Sequence, residues 1–129
     1  MQEIPDGRHY KYEGQINRER EPHGKGTMES TDSNGQDVQY EGEWESGKKH
    51  GMGTQKYKDS KGQDVQYEGE WKSDKMDGKG KMTYKDKQGR DIIYVGEWES
   101  GKMHGMGKIQ FYNKDNRLTT TDGRWETIS

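Results

Sequence analysis

Residues 40–53 read YEGEWESGKKHGMG, residues 94–107 read YVGEWESGKMHGMG, and a third version, YEGEWKSDKMDGKG, lies between them at 67–80. The step is 27 residues. Trp44, Trp71, Trp98 and Trp125 keep it, as do Tyr40, Tyr67 and Tyr94 and the glycine pairs Gly51/Gly53, Gly78/Gly80 and Gly105/Gly107. Chance does not space four tryptophans in this way. A fixed period of a few tens of residues marks a repeat architecture, in which each unit cannot bury its face alone and its neighbours complete it.

Working outward, the first unit runs from Tyr12 to Thr31, with Ile16 in the tryptophan position and Gly24/Gly26 in the glycine positions. Tyr12 and Tyr40 are 28 apart, so one extra residue lies in REREPHG between Ile16 and Gly24. At the other end Thr121, Asp122, Gly123, Arg124 and Trp125 match only half a unit. The chain therefore reads as one domain, 1–129, of units at about 7–34, 35–61, 62–88 and 89–115 and a half unit at 116–129. Five residues before each tyrosine column stand Gly7, Gly35, Gly62 and Gly89, with Asn116 in the last unit. Glycine and asparagine accept positive φ, and PDG, SNG and SKG are reverse-turn chemistry.

Between the turns the pattern alternates with period two. Val38, Tyr40, Gly42 and Trp44 fall on one face and Asp37, Gln39, Glu41 and Glu43 on the other, as a half-buried strand requires. After the loop ESGKKH, the residues Gly51, Gly53, Gln55 and Tyr57 alternate with Met52, Thr54, Lys56 and Lys58 in a returning strand. No segment carries a helical stripe. The expected fold is all-β, a single elongated, twisted antiparallel sheet of consecutive hairpins with about nine strands. A glycine inside a strand weakens it unless its bare backbone is used. Gly42 lies between Tyr40 and Trp44 on their face, so rings of one strand are expected to cover glycines of the next.

Composition narrows what such an array does. Only 23% of the 129 residues are hydrophobic, with one Leu, one Phe, six Ile and three Val, and mean hydropathy is −1.61. Eight Tyr and four Trp must supply the core. Twenty-two basic residues nearly cancel 24 acidic ones, which removes the positive field a nucleic-acid binder needs. Without cysteine there is no disulfide, thiolate metal site or cysteine nucleophile, and a reducing compartment is permitted. MQEIPDGRHYKYEG holds no apolar stretch for a signal peptide, and no run has the length of a membrane span. The expectation is a soluble, intracellular chain.

YEGEWESGKKHGMG and YVGEWESGKMHGMGKIQFY resemble the MORN repeat, the membrane occupation and recognition nexus motif, with its pattern YxGxWxxGxxHGxGxxxY. The resemblance covers four units and the fifth half, from about Gly7 to Trp125. The family's usual repeat is shorter than 27 residues, so the strands and the turn around KDSKGQDVQ are expected to be longer here. The resemblance implies a sheet with a groove lined by the Tyr and Trp columns. It also implies scaffolding roles, at membranes, in cilia and flagella or in cell-division structures, and a cytoplasmic, cytoskeletal or ciliary location. Family members that are enzymes carry a separate catalytic domain, and no segment is left over for one here.

His23, His50 and His104 share a column, but successive columns lie about 10 Å apart, whereas zinc needs nitrogens within ~2.1 Å. They read as loop histidines, and no metal or cofactor is expected. Glu41/Glu43 and Glu68/Glu70 give repeated carboxylate pairs in equivalent, solvated surroundings, which does not suit an acid and base of different strength. The chain is accordingly read as a non-enzyme. Exposed apolar faces mark interaction sites and Tyr and Trp are preferred anchors. Hence Tyr40, Trp44, Tyr57, Tyr67, Trp71, Tyr84, Tyr94, Trp98, Phe111 and Trp125 are the candidate partner-binding residues, receiving a peptide or helix of another protein. The alternative is a membrane-surface or phosphoinositide adaptor using a rim of Lys48, Lys49, Lys75 and Lys102. Ile16 and Pro22 read as a cap on the first unit, and the C-terminal half unit as an edge open to self-association.

Overall fold

The computed structural model describes the backbone of residues 2–3 and 9–125 and the side chains of residues 10–124. The described backbone forms β1 (Gln2–Glu3), β2 (His9–Ile16), β3 (Pro22–Thr31), β4 (Asp37–Glu45), β5 (Lys48–Lys58), β6 (Asp64–Lys72), β7 (Lys75–Lys85), β8 (Asp91–Glu99), β9 (Lys102–Tyr112) and β10 (Leu118–Trp125). They make one antiparallel sheet in strict sequence order. The nine expected strands are β2–β10, and β1 adds two residues beside Tyr10 and His9. The strands β4 and β5 span 9 and 11 residues, in keeping with the long repeat. The PDG turn at 5–7 lies outside the described residues.

Two kinds of turn alternate. Between units, Gly35, Gly62, Gly89 and Asn116 all have positive φ, from 61° to 80°. Each such turn is also held by a side chain three residues earlier: the Asp32 carboxylate accepts the N–H groups of Asn34 and Gln36, at 2.8 and 3.0 Å. Asp59, Asp86 and Asn113 do the same in their units. Within units, the expected loop ESGKKH is instead a two-residue turn. Ser46 and Gly47, Ser73 and Asp74, and Ser100 and Gly101 all take positive φ, the mirror-image turn whose twist matches that of paired strands. Lys48, Lys49 and His50 thereby belong to β5. In the first unit the extra residue lengthens this turn, closed by Asn17 N–H to Glu21 O at 3.0 Å, before Pro22 pairs with Ile16.

Register locks the units together. Gly14, Gly26, Gly42, Gly53, Gly69, Gly80, Gly96, Gly107 and Gly123 pair in succession, so one row of glycines crosses β2–β10. On one face a tyrosine lies over every second step of this row, from Gly14/Gly26 to Gly96/Gly107. A Cβ built on Gly53 would stand 2.1 Å from the Tyr40 hydroxyl, and one on Gly80 2.2 Å from that of Tyr67. The expected cover of glycine by rings is therefore present, and the register puts Tyr40 over both Gly42 and Gly53.

The core is a one-sided ladder of rings. Tyr12, Trp44, Tyr40, Trp71, Tyr67, Trp98 and Tyr94 alternate in edge-to-face contact, with centroids 5.0–5.4 Å apart. Each such pair contributes about 1 kcal/mol beyond the area it buries. Polar tips find backbone partners: Tyr40 donates to Glu43 O at 2.8 Å, and Trp44 Nε1–H to Gly26 O at 3.1 Å. Tyr67, Tyr94, Trp71 and Trp98 repeat these bonds. Met28, Val65 and Met82 complete the buried set.

Candidate partner-binding surfaces

The ladder changes which aromatic residues a partner reaches. The sequence suggests that a single-layer sheet leaves the outer sides of all its rings bare. Instead Tyr40, Tyr67 and Tyr94 are 0–1% exposed and Trp44, Trp71 and Trp98 5–6%, because each tyrosine is floored by glycine backbone and walled by tryptophan edges. These six are core. Tyr57, Tyr84 and Phe111 remain half-buried, set beside Val65, Ile92 and Thr119 in the neighbouring strands. Met76 and Met103 flank the ladder on its other side, across from Trp71 and Trp98. The aromatic face thus offers a buried strip between two accessible apolar rows. The Trp125 side chain lies outside the described residues.

Lys49 interrupts this face. It pairs with Trp44 where the later units carry Met76 and Met103. Its Nζ stands 5.4 Å from the Tyr40 ring centroid and 5.1 Å from that of Trp71, and it donates to Gln55 Oε1. Burial lowers its pKa below the ordinary 10.5, against the opposing pull of Asp74. Lys49 therefore does not belong to a solvent-facing rim. Lys48, Lys75 and Lys102 are exposed at the first position after each two-residue turn, opposite Glu45, Lys72 and Glu99.

Two depressions lie on the reverse face, away from the ring columns. One of about 580 Å³ runs over Gly14, Gly26 and Gly42 between Glu13, Lys25, Thr27, Glu41 and Glu43. A second, of about 490 Å³, runs over Gly69, Gly80 and Gly96 and shares Met52 with the first. The glycine row that receives the rings on one side is bare on the other.

The acidic columns divide in role. Glu43 is the lone residue facing His50, Gly51 and Met52 where the register shifts between Gly42 and Trp44, and its Oε2 accepts the Met52 N–H at 2.6 Å. Glu70 holds Lys79 N–H at 2.6 Å and Glu97 holds Met106 N–H at 2.8 Å. Gln15 does the same for Lys25 at 2.7 Å, an amide in place of a carboxylate. These oxygens replace a ladder partner at an irregularity, so the column is structural rather than merely solvated. The Gln15 substitution is the sequence signal for it: the oxygen is kept while the charge is dropped. The histidine column is likewise local. His23 Nδ1 accepts the Ser46 N–H at 3.2 Å, Asp77 Oδ2 takes the equivalent Ser100 N–H at 3.3 Å, and His50 and His104 lie 3.1 Å from Glu45 and Glu99.

Phenol chemistry follows the packing. Burial pushes Tyr40 and Tyr67 far above the ordinary 10.0, with the Glu43 and Glu70 carboxylates adding to the shift. Such phenols stay protonated and serve as donors to backbone carbonyls. Among the described residues no cluster of three His, Cys, Asp or Glu is arranged to hold a metal ion.

A search of curated proteins gives no match. The profile of the MORN repeat matches at residues 21–35, 40–61, 67–88 and 94–116, once for each of four successive units. With more than half of its length covered by these matches, and with each match falling on a glycine-floored, tyrosine-covered hairpin or its turn, the chain belongs to the MORN-repeat family.

Proposed function

We propose that this array is a non-catalytic scaffold that receives a peptide or helix of a partner protein across its aromatic face, and that it works in the cytoplasm at cytoskeletal or ciliary structures. MORN repeats are associated with protein or membrane-lipid interaction. The observation that carries the protein reading is the pair of accessible apolar rows, Tyr57, Tyr84 and Phe111 on one flank and Met76 and Met103 on the other. They border a rigid ring ladder that no second layer covers among the described residues. Rigid aromatic surface with few side chains to immobilise is what an interface anchor needs.

The test is capture from native cell extract by the whole chain and by a variant with Tyr57→Ala, Tyr84→Ala and Phe111→Ala. The expected result is loss of the captured protein with an unchanged circular dichroism spectrum; capture that persists with the sheet intact sinks the aromatic-face reading. A second reading, contact with a phosphoinositide surface, is favoured by the equivalent, exposed placement of Lys48, Lys75 and Lys102. It requires vesicles carrying phosphoinositide to retain the chain at low salt and release it as ionic strength screens the lysines.

A further inference from the structure

On the reverse face, one register row reads Glu13, Thr27, Glu41, Thr54, Glu68, Lys81, Val95, Lys108 and Asp122 from β2 to β10. The first strand of each unit contributes an acid to it, except that β8 contributes Val95. That exchange is unfavourable in two ways. It leaves Val95 51% exposed, and it removes the carboxylate that would stand between Lys81 and Lys108. Met52 and Met106 add exposed apolar surface, at 55% and 56%, on the same depression of about 490 Å³. A chain with one Leu and three Val gains no solubility by leaving such groups in water.

The charges around the depression are unevenly committed. Glu97 is occupied by the Met106 N–H and Glu68 by the Gln66 amide. Lys79, Lys81 and Lys108 form no ion pair among the described residues. An apolar floor of Val95, Met52 and Met106 therefore shares its depression with Lys79 and Lys81, and Lys108 pairs with Val95 in the register.

We propose that this depression docks an extended acidic segment of a partner protein, which lays an aliphatic or aromatic side chain on Val95 and supplies, between Lys81 and Lys108, the carboxylate that Glu41 and Glu68 supply in their own units. From β5 to β9 the floor crosses four strand intervals of ~4.8 Å, a span that about six extended residues cover. The site lies on the face opposite Tyr57, Tyr84 and Phe111, so it stands apart from the aromatic-face reading.

The experiment titrates the whole chain, isotope-labelled at methionine and valine methyls, with a synthetic peptide alternating Glu and Leu, and with its Lys-for-Glu counterpart. The acidic peptide should shift the Val95, Met52 and Met106 methyl signals, and the basic one should not. Val95→Glu installs the residue that three sister units carry at this position, Glu13, Glu41 and Glu68, so the fold is retained. It should weaken the acidic peptide at least tenfold with the thermal transition unchanged, and Lys81→Glu with Lys108→Glu should abolish binding. Equal response to both peptides, indifference to Val95→Glu, no response to the acidic peptide at millimolar concentration, or shifts confined to methyls beside Tyr84 would each overturn the proposal.

Discussion

Glycine is the residue on which the architecture turns, and its positions are not equivalent. At Gly53 an added Cβ would collide with the Tyr40 hydroxyl and ring at 2.1–2.5 Å, and a fully buried ring has nowhere to move. Gly53→Ala should therefore cost about 3 kcal/mol, the range of an overpacked core, and lower Tm by roughly 10 °C. Gly123 occupies the same row, but Thr121 stands where the tyrosine would be, and an added Cβ meets nothing within 4 Å. Gly123→Ala should stay within about 0.5 kcal/mol of the parent. Thermal melts of the two variants check this, and equal losses would show that the glycines serve the backbone alone. The glycine columns and their ring cover were legible from spacing, because a fixed period and alternation of faces follow directly from residue types. The collective burial of the rings was not. It depends on the angle at which Trp71 meets Tyr40 and Tyr67, and one strand read alone holds no information about that angle.

At the scale of the hairpin, the decisive device is an oxygen at the register shift. Glu70 Oε2 takes the Lys79 N–H, which has no carbonyl opposite it, and truncation leaves that donor without a protein partner. Glu70→Ala should lose about 1.5 kcal/mol, while Glu70→Gln should be within about 0.5 kcal/mol, since Gln15 already does this work in the first unit. Denaturant unfolding of the two variants separates hydrogen bonding from charge; equal losses would mean that the negative charge matters instead. The turns show a similar division of what sequence reveals. Positive φ at Gly35, Gly62, Gly89 and Asn116 follows from residue type, the asparagine included. The Asp32, Asp59, Asp86 and Asn113 column escapes a reading for positive φ alone, although its three-residue offset from the glycine column is the signature of a side chain closing its own turn. A lysine rim assumes a longer loop than the two-residue turn leaves, and the shorter turn puts Lys49 in β5 on the ring face.

Across the whole array, stability is a sum of repeats joined by shared rings, since Trp71 touches Tyr40 of the preceding unit and Tyr67 of its own. The phenols make that coupling visible to pH. Tyr40 and Tyr67, with Tyr94, Tyr57 and Tyr84, have folded pKa values raised above 10.0, chiefly by burial. The folded state keeps these protons where the unfolded state sheds them. Their contribution is complete below about pH 10 and falls as pH rises toward the folded values. Lys49 acts with the opposite sign, because its lowered pKa makes its burial less costly as pH approaches 10.5. One lysine offsets only part of several phenols. Two core tyrosines alone remove roughly 3 kcal/mol per pH unit once the window is entered, which is a large share of a domain's usual 5–15 kcal/mol. The array should hold its sheet to about pH 10 and then unfold cooperatively within the next one to two units, with tyrosinate absorbance and loss of strand circular dichroism rising together. Smooth phenol ionisation near pH 10 with the sheet signal retained would mean that the rings stand in water, and the ladder as described could not then be what joins one hairpin to the next.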